Sequence, residues 1–142
     1  MLIEEIVEIL SDAGKVGVYA AEVMEDSKNK DETYALAWFL YNSRQFKDSL
    51  VQVAFVLGGK DGRPVSEFYT AAPALTDQYF TLHDLQERHS TLRDKVLRMR
   101  LAYEDFINEN VAVRILFKVV DSQMQLMTWA LGQAVNAIPD AK

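Results

Sequence analysis

The sequence predicts an all-α fold, a four-helix antiparallel bundle of up-down-up-down topology with heptad-like core stripes. Three observations carry that expectation. Apolar residues recur at alternating spacings of 3 and 4 almost throughout, the period of helices that each bury one stripe. Helix breakers are few, with 6 Gly and 3 Pro in 142 residues. That length fits one domain able to bury a core of its own, so residues 1–142 are read as a single unit.

The first helix carries the stripe Ile3, Ile6, Leu10, Ala13, Gly17, Ala20, Met24. Its middle is thin, because Ala13, Gly17 and Ala21 are small and would let a neighbouring helix approach closely. Gly14 and Gly17 each weaken a helix interior by about 1 kcal/mol relative to Ala. The alternatives are one helix, kinked at most, or two pieces; one helix is favoured. The polar run "EDSKNKDE" (25–32) closes this element, and Asp31 is a candidate N-cap for the next.

The second stripe is Leu36, Phe39, Ser43, Phe46, Leu50, Val53, Leu57, stopped by Gly58 and Gly59. Residues 51–70 also fit a β-hairpin, with "LVQVAFVL" and "VSEFYT" around a glycine-rich turn. The unbroken heptad from Leu36 favours helix followed by loop. Residues 59–73 form the long connection, bracketed by Pro64 and Pro73, with Phe68 and Tyr69 expected to pin it to the bundle.

The third stripe runs Leu75, Gln78, Leu82, Leu85, His89, Leu92, Val96, Met99, Tyr103, Phe106. The same register continues through Asn110, Val113, Phe117, Val120, Met124, Met127, Leu131, Ala134 and Ile138. A single helix of about 65 residues would be extreme. "NEN" (108–110) is the polar break, so the turn is placed there, with Asn able to stop one helix and cap the next.

The fourth helix poses the sharpest question. From Val119 to Ile138 its one charge is Asp121. Beyond its core stripe it carries Leu116, Val119, Leu126, Trp129, Ala130 and Val135 on other faces. A helix apolar nearly all round must be covered on more than one side. The expected cover is a second copy, most simply in a homodimer; the alternative is that the 59–73 connection folds over it. Met124 and Met127 are candidates for a partner-helix groove, since Met adapts to varied shapes.

Charge is uneven. The net value is −6, which argues against bulk attraction to nucleic acid or anionic membrane. Residues 1–32 hold nine acids and three lysines, whereas Arg88, Arg93, Lys95, Arg98 and Arg100 face only Asp94. The two stretches are expected to be neighbours, and Arg88 to Arg100 is also a candidate dock for an acidic protein. The chain has no Cys, which excludes disulfides, thiolate catalysis and Cys-based metal sites. No segment reads as membrane-spanning, and "MLIEEIVEIL" is acidic where a signal peptide is positive. A cytoplasmic location follows as an expectation.

Candidate chemistry is sparse. In "LHDLQERHSTL", His83 points outward beside Asp84, while His89 sits on the inward stripe. Two His and no Cys leave no His-rich metal site, and the Glu-x-x-His pairs of di-iron bundles are absent. No cofactor is expected. His83, Asp84, Leu85 and Gln86 resemble the phosphoacceptor helix of histidine-kinase dimerisation and histidine-phosphotransfer domains. That resemblance implies a phosphorylatable His83 with Asp84 as its base. Glu4, Glu5 and Glu8 form E-E-x-x-E, followed by Glu22 and Glu25. This is similar to the all-α nucleoside-triphosphate pyrophosphohydrolases of the MazG type. The likeness implies a Mg²⁺ site on Glu5, Glu8, Glu22 and Glu25, although that family's second half is E-x-x-D. "GGKDGR" (58–63) lacks the spacing of a phosphate-wrapping loop and reads as a helix stop. The leading expectation is a non-enzymatic interaction module that self-associates or binds a partner helix through helix four.

Overall fold

The computed structural model describes residues 2–59 and 81–137. These residues form five helices: α1 (Leu2–Glu25), α2 (Lys30–Gly59), α3 (Leu82–Ala102), α4 (Glu104–Glu109) and α5 (Val111–Asn136). No strand occurs among the described residues. The fold is all-α, as its periodicity requires. The expectations for Phe68, Tyr69, Leu75, Gln78 and Ile138, and for residues 60–63 of "GGKDGR", lie outside the described residues.

Helix α1 is unbroken through both glycines. Gly17 is not a close-approach residue. A methyl group there would meet Ser43 Oγ at 3.9 Å, an ordinary contact. The hairpin reading fails for residues 51–59, which continue α2 as helix.

The N-cap of α2 is Asn29, not Asp31. Its Oδ1 accepts from the amides of Asp31 (2.8 Å) and Glu32 (3.3 Å), satisfying donors that the first turn leaves free. Its Nδ2 donates to the carbonyl of Ala137 (2.8 Å) at the end of α5. One amide thus closes two helix ends. Ser27 and Thr33 brace the same turn through a hydroxyl pair at 2.9 Å.

The α5 N-cap is Asn110, whose Oδ1 accepts from Val113 N (3.2 Å), so "NEN" is a turn as expected. A second break, at Tyr103, has no Gly or Pro to announce it. The register slips there. Met99 and Ile107 are buried while Phe106 is exposed, so the inward positions step 4 and 4 through the half-buried Tyr103 rather than 4 and 3. The backbone bridges the break, with Tyr103 N bonded to Met99 O and Ile107 N to Tyr103 O.

Helix directions follow from contacts that pair low numbers with high. Lys95 reaches Glu8 and Asp12, and Arg88 covers Tyr19, so α3 is antiparallel to α1. Helices α1 and α2 are joined by a short turn and pack Gly17 beside Ser43, so they too are antiparallel. His89 meets Thr128 and Arg100 meets Asp121, making α3 antiparallel to α5. The Asn29–Ala137 bond does the same for α2 and α5. Helices α2 and α3 therefore run the same way. The order is up-down-down-up rather than the expected up-down-up-down. The chain leaves α2 at one end of the bundle and enters α3 at the other.

The core is continuous. Leu10, Leu36, Phe39, Phe46, Leu50, Leu85, Leu92 and Phe117 are fully enclosed. Phe39 and the His89 ring meet edge to face across the middle, centroids 5.4 Å apart. Helix α2 lies between α1 and α5, and α3 closes the ring between them.

Two outcomes test these placements by chemical denaturation. Asn29→Ala removes a cap and a bond between helix ends, and is expected to cost about 2 kcal/mol; Asn29→Asp keeps the cap and should recover about half. Gly17→Ala and Gly132→Ala have room for the added methyl and should each stabilise by about 0.5–1 kcal/mol.

Candidate interaction surface

Helices α2 and α5 each carry a second stripe beside the core one. On α2, Tyr34, Trp38, Tyr41 and Phe55 face out, between 46% and 67% exposed. On α5, Ile115, Val119, Leu126 and Trp129 do the same, between 40% and 60% exposed. Their spacings are 3, 4 or multiples of 7, so each set lies along one side of its helix. The rings of Tyr34, Trp38 and Tyr41 meet edge to face, with centroids 6.4 Å and 5.8 Å apart. This preorganises a rigid aromatic ladder.

Between the two helices, at the Asn29 end, lies a groove of about 690 Å³. Tyr34 and Trp38 form one wall, Leu126 and Trp129 the other. Asp31 is the single charged residue lining it. Asn42, at its inner end, is buried and donates its Nδ2 to Trp38 O (2.9 Å), which fixes the backbone beneath the ladder.

Two other hollows differ in chemistry. The one of about 560 Å³ beside Leu97 and Leu101 is interrupted by Arg93, Asp94, Arg100, Glu104 and Asp121. The one of about 650 Å³ between α1 and α2 is floored by Ala13, Gly17 and Ala21 and rimmed by Arg44, Lys47 and Asp48. Of these three hollows, the α2–α5 groove alone is both aromatic and nearly free of charge.

The expected interface residues divide. Val119, Leu126 and Trp129 are exposed on this face. Leu116 and Val135 are half-buried, Leu116 packing against the core. Ala130 is fully buried, a correction to its place in the interface. The same holds for Met124 and Met127, which are 6% and 0% exposed. Both methionines fill the core, so they offer no groove to a partner helix. The α2 half of the face was missed, although Tyr34, Trp38 and Tyr41 already stood at spacings of 4 and 3.

The remaining candidates do not assemble into sites. His83 is exposed and pairs with Glu87 at 3.1 Å. Asp84, its intended base, is held instead in a capping box with Thr81, its Oδ2 accepting from Thr81 N (2.9 Å) and Oγ1 (2.8 Å). Those bonds hold its pKa below the ordinary carboxylate value. Glu5 and Glu8 lie on the same straight helix as Glu22 and Glu25, about 25 Å apart at 1.5 Å per residue. They cannot converge on one Mg²⁺, which corrects the metal-site expectation. No metal-holding cluster occurs among the described residues. Glu8 and Asp12 instead bind Lys95, at 3.2 and 2.6 Å, and these bonds, chiefly that from Asp12, raise its pKa. Burial, with the charge of the nearby Glu5 carboxylate, raises the pKa of the Tyr103 hydroxyl.

The basic stretch is partly used within the fold: Arg88 covers the Tyr19 ring at 5.6 Å, and Arg100 pairs with Asp121 while lying over Phe117. The acidic α1 and basic α3 are neighbours, as their charges anticipate. No described helix is long and apolar enough to cross a membrane.

No family model, no curated protein and no solved structure matches the chain. Function is therefore read from the surface and its chemistry.

His89 is a core residue, 3% exposed. Its Nε2 lies 2.9 Å from Thr128 Oγ1, and that hydroxyl donates to Met124 O at 3.0 Å. The ring must therefore donate from Nε2, which leaves Nδ1 a bare acceptor with no partner among the described residues. Burial, helped by Arg93, lowers its pKa from 6.5 to about 4. As pH falls, the unfolded chain takes up this proton first. Stability present above pH 6.5 is thus lost between about 6.5 and 4, by roughly 3 kcal/mol. His89→Leu should flatten that part of the curve of unfolding free energy against pH; an unchanged slope would show that His89 is not the titrating group.

Proposed function

We propose that the chain is a helical interaction module, an adaptor, regulator or assembly subunit, that docks another helical surface on its α2–α5 face. Helices α3 and α4 are read as one bent rod, which makes the scaffold a bundle of four rods. One observation carries the reading: two adjacent helices each present a second, largely apolar stripe at heptad spacing, and the groove between them holds one charge. Aromatic groups in a charge-poor patch are the composition of interface cores. Exposed patches of this size are rare on proteins that act alone. Rigid helices set the stripes, so little ordering entropy opposes docking.

The test is binding by the full chain, measured by sedimentation and by fluorescence anisotropy with a labelled amphipathic helical peptide. Trp129→Glu or Trp38→Glu should weaken association, with self or with the peptide, by about 30-fold or more. Leu101→Glu, on the charged patch, should leave it unchanged. A wild-type chain that stays monomeric to millimolar concentration and ignores the peptide overturns the reading.

A further inference from the structure

We infer that the occupant of the α2–α5 face is a second copy of this chain. A two-fold axis perpendicular to the helices crosses the groove at the level of Gln45 and Ser122, so the two α2–α5 pairs lie antiparallel. This rests on the docking reading above and names its partner.

Area is the first support. Aromatic side chains carry 150–250 Å² each. Tyr34, Trp38, Tyr41, Phe55 and Trp129 are about half exposed or more, and with Ile115, Val119 and Leu126 they offer roughly 700 Å². A standard stable interface buries about 800 Å² per partner.

The second support is where the apolar groups sit. Trp38, Leu126 and Trp129 line the groove at one end. Phe55 on α2, and Ile115 and Val119 on α5, stand toward the other, with polar Gln45, Asp48, Gln52 and Ser122 between. An antiparallel mate brings Phe55 and Ile115 to the partner's aromatic groove, a projection to a hollow. A parallel mate sets groove against groove. The axis can be located twice. On α2 the midpoint of Trp38 and Phe55 falls between Phe46 and Lys47. On α5 the midpoint of Ile115 and Trp129 is Ser122. The Asn29–Ala137 bond and the facing of Asn42 and Leu126 in the groove fix the stagger of the helices. That stagger sets Phe46 level with residues 120–122. Two helices thus return one level.

Charge is the third. Arg44 and Asp48 are exposed on the side of α2 away from α5, at the rim of the α1–α2 hollow, and flank this level. Across the axis Arg44 meets the partner's Asp48, and Asp48 the partner's Arg44. In a parallel mate the axis runs along the groove, α2 lies over the partner's α5, and this ion pairing is not made.

The chain has no Cys, so a single introduced thiol reports one position. Ser122→Cys and Gln133→Cys are each spin-labelled on the full chain, and distances between copies are measured by pulsed electron resonance. The expected result is a short distance at Ser122 and one on the order of 30–35 Å at Gln133, twice the rise over 11 residues. Short distances at both positions mean a parallel mate and overturn this orientation while the docking reading stands. Long distances at both mean that copies meet on another face. No distance between copies, with a monomer by sedimentation, removes the self-partner; the peptide assay then decides the docking reading separately. A charge swap gives an independent readout. Asp48→Arg should weaken dimerisation by about tenfold or more, and adding Arg44→Asp should restore it; failure of the double variant to recover rejects the pairing.

Discussion

A helix can turn one stripe into a bundle, and α5 carries apolar residues on two. That constraint organises the molecule. Val113, Phe117, Val120, Met124, Met127, Leu131 and Ala134 go inward and are enclosed. Ile115, Val119, Leu126 and Trp129 are then forced outward, because they lie on the other side of the same cylinder. Helix α2 repeats the arrangement with Leu36, Phe39, Phe46 and Leu50 inside and its aromatic ladder outside. These two helices pack together more extensively than any other pair, so their outer stripes share one face. The exposed aromatic surface is a consequence of how the core is built.

Polar contacts contribute direction more than energy. Exposed ion pairs such as Lys95 with Glu8 are worth little individually. They do exclude alternatives: acidic α1 and basic α3 attract only when laid side by side. Asn29 acts more strongly, since it satisfies amides at the start of α2 and a carbonyl at the end of α5. That bond fixes the stagger of the two helices, and with it the width and lining of the groove. His89 and Thr128 make a similar link inside, where a bare Nδ1 and a low pKa mark the cost of placing imidazole in an apolar core.

Where the local pattern and the global fold disagree, geometry gives the reason. The slip at Tyr103 is invisible in composition, because no Gly or Pro marks it. Beyond it the short α4 packs on α5, and Ile107 rather than Phe106 reaches the core. The acidic residues of α1 looked like paired motifs only while a turn at Gly14–Gly17 was open. An unbroken helix holds the two sets apart. Gly17 was suspected of permitting close approach, yet Ser43 leaves it room for a methyl.

The sequence by itself determined the helical class, the inward stripes from Leu82 to Met99 and from Val113 to Ala134, the cap at Asn110 and the surplus apolar face on the last helix. All of these follow from spacing along one chain, where a period of 3.6 is read without knowing the neighbours. Only the tertiary structure decided that α2 adjoins α5, that α2 and α3 run the same way, and that α2 supplies half of the exposed face. A long connection is compatible with either direction, and a stripe on one helix does not say which other helix lies beside it. It also separated Met124, Met127 and Ala130 from Leu126 and Trp129. On a helix apolar nearly all round, only the position of the neighbours tells a core residue from a surface one.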